Sequence, residues 1–472
     1  MALILLASAA LLFVLVLQIA KKFVQAHVSP LSQIPSAGFA APYSRLLWAF
    51  RREYRGTITL DLPVLHKKLG PLIRIGPNEV SFYSMEVYDA VHKVNSGYKK
   101  DPRVYGNFVQ DGHPALFSIT AMGLKHGVIE LMSACRALEA DIISSFSFGK
   151  SINAVDSWAR RENLNMVAKN DEKATWMPLL TSFPVAYEIW EQLEDFFYKK
   201  TNLRTSYSHG LSDFDMWSEE AWRAAMGFEK FAQPLFPNLI HVMASSGLPP
   251  ETALSEAKEN LGPGTDTTSG SLAHIMYALG CNRSFQESLY EDLQQVAFST
   301  EMSTLENIPR LRACVKEGIR WAGTAAAMLP RIAPIGGVEL LGKHIPEGTV
   351  LTSSPIWYLR DEDAFPGPEL FDPYRWINDD GLTFKEDPVR DQYYIPFSKG
   401  ANVCIGLHFS YYELYLGISQ MIRSFRVRSR SGELGSTSGA PHNDWHPVLL
   451  PARKEWVAAV LTGNLDVQLE AR

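Results

Sequence analysis

Among 472 residues, the arrangement with the most evident chemistry surrounds one cysteine, in the run Phe397-Ser398-Lys399-Gly400-Ala401-Asn402-Val403-Cys404-Ile405-Gly406. This loop leads directly into a helical pattern over about 405 to 424. Free N–H groups and the positive dipole end at a helix start favour a thiolate, so Cys404 is expected to ionise more easily than a free thiol. A thiolate is both a nucleophile and a metal ligand. Gly400 and Gly406 would let the backbone come close to a flat ligand. Taken alone, the loop reads slightly better as an ordinary buried cysteine, the commoner fate of a lone Cys.

Two other constellations could do chemistry. Glu317-Gly318-Ile319-Arg320 sets an acid and a base three apart on one helical face, where they can meet as an ion pair. Gly264-Thr265-Asp266-Thr267-Thr268 lies inside the helical pattern of 251 to 280. There a glycine and a hydroxyl can open the hydrogen-bond ladder, and Asp266 with Thr267 can hand on protons through water. The plain alternative is a helix N-cap, with Pro263 opening the helix.

These residues need a scaffold, and the chain has the length and the 46% hydrophobic content to bury a large core. Apolar residues recur at three- and four-residue spacing from about 186 to 330. Residues 331 to 358 are rich in Gly, Pro, Val and Ile and predict short strands; 359 to 403 reads as irregular. Leu72 to Phe82 predicts a hairpin around Gly76-Pro77-Asn78. The expected fold class is mainly α with small β-sheets. A net charge of -6, from 45 basic and 51 acidic side chains, offers no basic stripe for nucleic acid. Cys135, Cys281, Cys314 and Cys404 have no CxxC spacing, which points away from a disulfide framework or a zinc site.

Residues 1–20 contain no charged side chain and are followed by Lys21 and Lys22. That length predicts a transmembrane signal-anchor rather than a cleaved signal, with the positive flank keeping the following domain in the cytosol. Asn282-Arg283-Ser284 would then be an unused sequon. Pro30, Pro35 and Pro42 mark 21–44 as a stiff linker, and the catalytic domain is read as 45–472.

The order of motifs along the chain carries more than any one of them. ExxR at Glu317 and Arg320 is followed by Phe371-Asp372-Pro373-Tyr374-Arg375-Trp376 and then by the Cys404 loop. This succession resembles the cytochrome P450 family, in its fungal microsomal kind. The resemblance implies the P450 fold, with heme b ligated axially by Cys404 and contacted by Phe397, Gly400, Gly406, Arg331 and His126. It implies a structural network of Glu317, Arg320 and Arg375 that holds the cysteine loop rigid. Asp266 and Thr267 would be the catalytic relay that delivers protons to O2. The thiolate would favour O–O cleavage, these enzymes being the standard example of thiolate haem ligation. The implied activity is insertion of one oxygen atom of O2 into a hydrophobic small molecule, in fungal secondary metabolism of a terpenoid, polyketide or alkaloid. NADPH-cytochrome P450 reductase would supply electrons at the endoplasmic reticulum membrane. Arg74 to Glu79 and Leu116-Phe117-Ser118 carry the fungal part of the likeness.

Three places depart from the family's pattern. Asn402 stands where Arg or His usually binds a haem propionate, and an amide cannot neutralise a carboxylate. Arg331, after Leu329-Pro330, matches another propionate-contacting position. Pro263 stands where Ala or Gly is usual, and proline inside a helix costs about 3 kcal/mol. Leu116-Phe117-Ser118 and His126 resemble the approach to the family's C helix, but the basic run that should follow is replaced by Gly127-Val128-Ile129-Glu130-Leu131-Met132. Arg136 to Gly149 already resembles a later helix. The C-helix region is therefore expected to be shortened, by roughly 40 to 50 residues.

Two other function classes stay open: a haem-binding protein without oxygenase activity, favoured by Asn402 and the shortened region, and an isomerase or dehydratase on the same fold, which would not need Asp266-Thr267. Phe148-Gly149-Lys150-Ser151 fails as a phosphate loop because Ser144 occupies the position of the first glycine.

Overall fold

The computed structural model describes residues 20–92, 98–100, 128–160, 182–201, 216–223, 238–429 and 444–472. It divides into two compact units, one from Met1–Tyr105, Met328–Ser354 and Lys399–Asn402, the other from Gly106–Ala327, Pro355–Ser398 and Val403–Arg472.

The described part of the first unit is built on the expected hairpin. Leu72–Gly76 and Glu79–Phe82 pair antiparallel, and both strands are buried along their length. The sheet grows by Val350–Thr352, parallel to the second strand, then by Arg331–Ile332 and Lys99–Lys100, both antiparallel. Helices α1 (Ile58–Leu69) and α2 (Met85–His92) belong to this unit. Arg74 is buried inside it and donates to the carbonyls of Gly76, Ala26 and Pro77. A guanidinium with its donors met by carbonyls is tolerable in such a place. Part of the stretch between 21 and 44 packs onto the sheet: Ser36 bridges Arg74, and Leu31, Ile34 and Ala41 are buried.

The second unit is helical. Its helices include α3 (Leu131–Phe148), α4 (Ala154–Ala159), α5 (Pro184–Thr201), α6 (Leu239–Ser245), α7 (Pro250–Glu259), α8 (Leu261–Cys281), α9 (Arg283–Gln295), α10 (Pro309–Ala322), α11 (Pro388–Tyr393) and α12 (Leu407–Ser424). A three-stranded antiparallel sheet joins Phe425–Ser429, Asp466–Ala471 and Val128–Glu130. α8 runs through the core against α3, α10 and α12. Contact with α10 depends on Gly318, where an added Cβ would come within 2.0 Å of Ile275 Cγ1. At Gly270 a Cβ would meet Thr324 Cγ2 at 2.6 Å, so glycine also sets how closely the chain after α10 approaches α8.

The pattern at 251 to 280 predicted one helix, whereas the chain forms two, parted at Asn260. Pro263 explains the break. It is the third residue of α8 and has no N–H to offer the carbonyl of Glu259, where α7 ends. In the first turn of a helix that missing donor costs little, which removes the conflict expected from a mid-helix proline. Asn282 is buried, with its side-chain amide bonded to Ala278 and His446, so the sequon there offers no free amide.

No helix among the described residues is long and apolar enough to cross a membrane. The proposed apolar span falls almost entirely on residues outside that set, as do His126 and the segment expected to be shortened.

Candidate functional site

Glu317 anchors a buried, well hydrogen-bonded polar cluster in the helical unit. It sits on α10, fully buried, as does Arg320 one turn on. Arg320 grips the carboxylate with both arms, Nε to Oε2 at 2.8 Å and Nη2 to Oε1 at 2.7 Å. Arg375 Nε adds a bond to Oε1 at 3.2 Å, the Asp372 N–H another at 3.0 Å, and the Trp376 indole N–H one to Oε2 at 2.9 Å. Burial pushes the Glu317 carboxyl up, but the two guanidinium groups and these donors hold it below its ordinary range. Arg320 spends its other donors on the carbonyls of Leu359, Pro368 and Leu370. The three residues expected to form a network do meet, and Trp376 joins them.

How this cluster reaches the cysteine was not visible in the sequence. The Trp376 ring packs edge-on against Tyr394, centroids 4.8 Å apart. Tyr394 and Tyr411 share a hydroxyl hydrogen bond of 3.0 Å, and Tyr411 packs on Phe397 at 5.3 Å. The Phe397 carbonyl then accepts the Cys404 N–H at 2.9 Å. A path of packed rings therefore runs from a buried ion pair to the backbone of the loop. The aromatic texture of the stretch after 359 was the only hint available.

Four free cysteines are present, and Cys404 alone is exposed; Cys135 and Cys314 are buried and Cys281 half-buried. Its neighbours are also open, Val403 at 42% and Ile405 at 78%. The expected easy ionisation is corrected: desolvation by the surrounding protein raises the Cys404 thiol, and the Gly406 N–H only partly offsets this. The physical reason is position, for α12 starts at Leu407 and Cys404 lies outside its first turn. The loop's two glycines differ in role. Gly400 has φ +73°, in the left-handed region, whereas Gly406 has φ -80°. A Cβ at Gly406 would stand 3.8 Å from the Cys404 sulfur, in ordinary contact, so this glycine keeps space clear beside the sulfur.

Asp266 and Thr267 lie within α8, beyond its first turn, which rules out the N-cap reading. Thr267 Oγ1 donates back to the Pro263 carbonyl at 3.1 Å, as mid-helix threonines do. Its own carbonyl accepts from the hydroxyls of Ser271 and Thr324, at 2.9 and 3.1 Å. Asp266 Oδ1 is paired with Arg136 Nη2 of α3 at 3.2 Å, a partner that sequence reasoning missed. Next along α8, Thr268 shares a hydroxyl bond of 3.1 Å with Ser410 in the first turn of α12. The Asp266-Thr267 segment and the helix that follows Cys404 are thereby joined.

In the sheet unit, Arg331 is buried and donates to the Pro330 carbonyl, and Asn402 ends an exposed turn at Gly400–Asn402.

The residues of the helical unit fit the haem that the sequence resemblance implies. An exposed cysteine flanked by exposed apolar residues suits a soft-ligated, flat, largely apolar group, and no other cysteine has that setting.

Comparison with known proteins agrees. The chain is 26% identical to the cytochrome P450 monooxygenase macH of Penicillium terrestre, over 84% of this chain and 87% of that protein. It is 24% identical to the cytochrome P450 monooxygenase sdnE of Sordaria araneosa, over 93% and 94%. It is 25% identical to the fusicoccadiene C-8 hydroxylase of Alternaria brassicicola, over 82% of each. The family model for cytochrome P450 matches residues 118–439, more than half of the chain and all three motifs, and on that match the chain belongs to the cytochrome P450 family.

Proposed function

We propose that this chain is a haem-thiolate monooxygenase in which Cys404 is the axial ligand and the substrate is a hydrophobic small molecule of fungal secondary metabolism. The observation that carries the reading is the exposed Cys404 on a loop tied through Phe397, Tyr411, Tyr394 and Trp376 to Glu317. Bound haem would supply dioxygen activation, which a thiolate ligand promotes by donating electron density. Around it, Phe397 and Gly406 would border the group. Asp266, paired with Arg136, would take up and release a proton, and Thr267 would pass it on through its hydroxyl. Arg136 is a positioning residue here. A terpenoid is one fitting substrate class, since one relative is named for hydroxylating fusicoccadiene.

The finer reading includes a single-pass anchor at residues 1–20 in the endoplasmic reticulum membrane, a cytosolic catalytic domain, NADPH-cytochrome P450 reductase as electron donor, and a shortened segment after His126. Transcript sequencing across Lys125-His126-Gly127-Val128 tests the last point.

The decisive measurement is the spectrum of the reduced, CO-treated protein. The long-wavelength Soret band of thiolate ligation is expected in the wild type and absent in Cys404→Ser; its survival in the variant would reject Cys404 as ligand. With the band intact, Thr267→Ala should lose coupled substrate oxidation. Unchanged formation of the oxidised product would remove Thr267 from the relay.

A further inference from the structure

Lys316 lies on α10 one residue before Glu317, yet it takes no part in that buried ion pair. It is half-buried against aromatic rings. Its Nζ stands 4.3 Å from the centroid of Trp376 and 4.9 Å from that of Tyr394, whose hydroxyl donates to the Lys316 carbonyl at 3.2 Å. No carboxylate among the described residues forms an ion pair with this amine. The acid that acts on it, Asp391 of α11, is instead paired with Arg390 at 2.9 Å. Arg390 also lies over the Trp376 ring, at 4.4 Å, so that ring carries two cations. Arg312 is one turn before Lys316 on the same helix and lies over Phe384. Tyr411 of α12 meets the cluster through the Tyr394 hydroxyl.

An ammonium set among rings gives up part of its hydration, and aromatic faces return only some of that energy. A paired carboxylate would make up the difference. Two guanidinium groups do the reverse. Burial, with Arg312 and Arg390, outweighs the attraction of Asp391 and pushes the Lys316 pKa down to about 8. A lysine desolvated beside other cations is the setting in which an amine becomes nucleophilic near neutral pH.

We propose that Lys316 is a covalent acylation site that takes acyl groups from small thioesters, and that its acylation loosens the hold on Trp376. The neutral Nζ attacks the thioester carbonyl carbon, the N–C bond forms and the C–S bond breaks. The thiolate leaves and takes up the proton that the nitrogen gives up. The amide that results is uncharged, so the Trp376 ring keeps Arg390 and loses its other cation. Trp376 is the first ring on the path from Glu317 to the Cys404 loop, and the modification acts on that path by packing. The inference needs the fold of the helical unit and not the haem.

The test uses the full-length protein as isolated and a deuterated acetyl thioester of N-acetylcysteamine in less than stoichiometric amount. Label at each lysine is read by peptide mass spectrometry from pH 6 to 9. At pH 7 Lys316 should be acylated about tenfold faster than the exposed Lys22 and Lys68, because a value near 8 in place of the ordinary 10.5 leaves far more free amine. Above pH 8 its rate should level off while theirs keep rising. Lys316→Gln imitates the acylated side chain and should speed hydrogen exchange at the Trp376 indole N–H about threefold, whereas Lys316→Arg, which keeps the charge, should not. Circular dichroism checks that both variants fold. Label on Lys316 no faster than on Lys22 and Lys68 across the range would overturn the site. Equal indole exchange in Lys316→Gln and wild type would overturn its link to Trp376.

Discussion

Two buried carboxylate sites in the helical unit behave in opposite ways. Glu317 on α10 is fully buried and accepts from two guanidinium groups, an indole and a backbone N–H. Glu139 on α3 and Glu413 on α12 are also buried, but what each carboxyl meets is the other acid. Burial pushes both of these carboxyls up, Glu139 to about 8, whereas the same burial at Glu317 is overcome by its cations. Depth therefore does not decide the charge state. The partner does, and only Glu317 has cationic ones.

The largest way to break this contrast is Glu317→Ala. It strands two guanidinium groups, one of them fully buried, and should cost about 3–5 kcal/mol in urea unfolding. A loss below about 1 kcal/mol would mean that the cluster is no tighter than a surface pair.

Glu139→Gln should act in the other direction, with a pH dependence. The folded value near 8 lies above the ordinary 4.5, so folding takes up a proton. Stability from this group is full below about pH 4.5 and is lost as pH rises through about 8. Across that window the variant should gain on wild type by about 1 kcal/mol for each pH unit. A difference between the two proteins that does not change with pH would show that Glu139 is already ionised.

Trp376→Phe keeps a ring against Tyr394 but removes one donor to Glu317. About 1 kcal/mol is expected, together with faster hydrogen exchange at the Cys404 N–H, because the path of rings starts at that indole. Unchanged exchange there would separate the cluster from the loop. The smallest effect should come from Lys150→Ala: its pair with Glu220, 3.4 Å apart and open to solvent, is worth no more than about 0.5 kcal/mol in a melting curve.

Much of the frame was readable because its signals are local. The Leu72 to Phe82 hairpin needs only strand-forming runs on either side of a turn, and the two strands pair as expected, with a register shift between Arg74 and Gly76. ExxR needs only two side chains three positions apart on one helix, and the cysteine loop only its own glycines. The single helix expected at 251 to 280 failed for an equally local reason, Pro263, whose missing donor shows its effect four residues upstream.

Motif order along the chain was enough to place the protein in its family and to name Cys404, Glu317, Arg320, Arg375, Asp266 and Thr267. That Glu317, Arg320 and Arg375 meet was part of that expectation, whereas the remaining partners were decided by tertiary structure alone. Arg136 reaches Asp266, Glu139 meets Glu413, and Trp376 links through Tyr394 and Tyr411 to Phe397. Most of these partners lie far apart in the chain, and even the nearer ones follow no helical or strand period that could foretell contact. A period of 3.6 or 2 says which face of an element is apolar. Only packing decides which polar side chains share a dry interior, and hence which of them carry a charge.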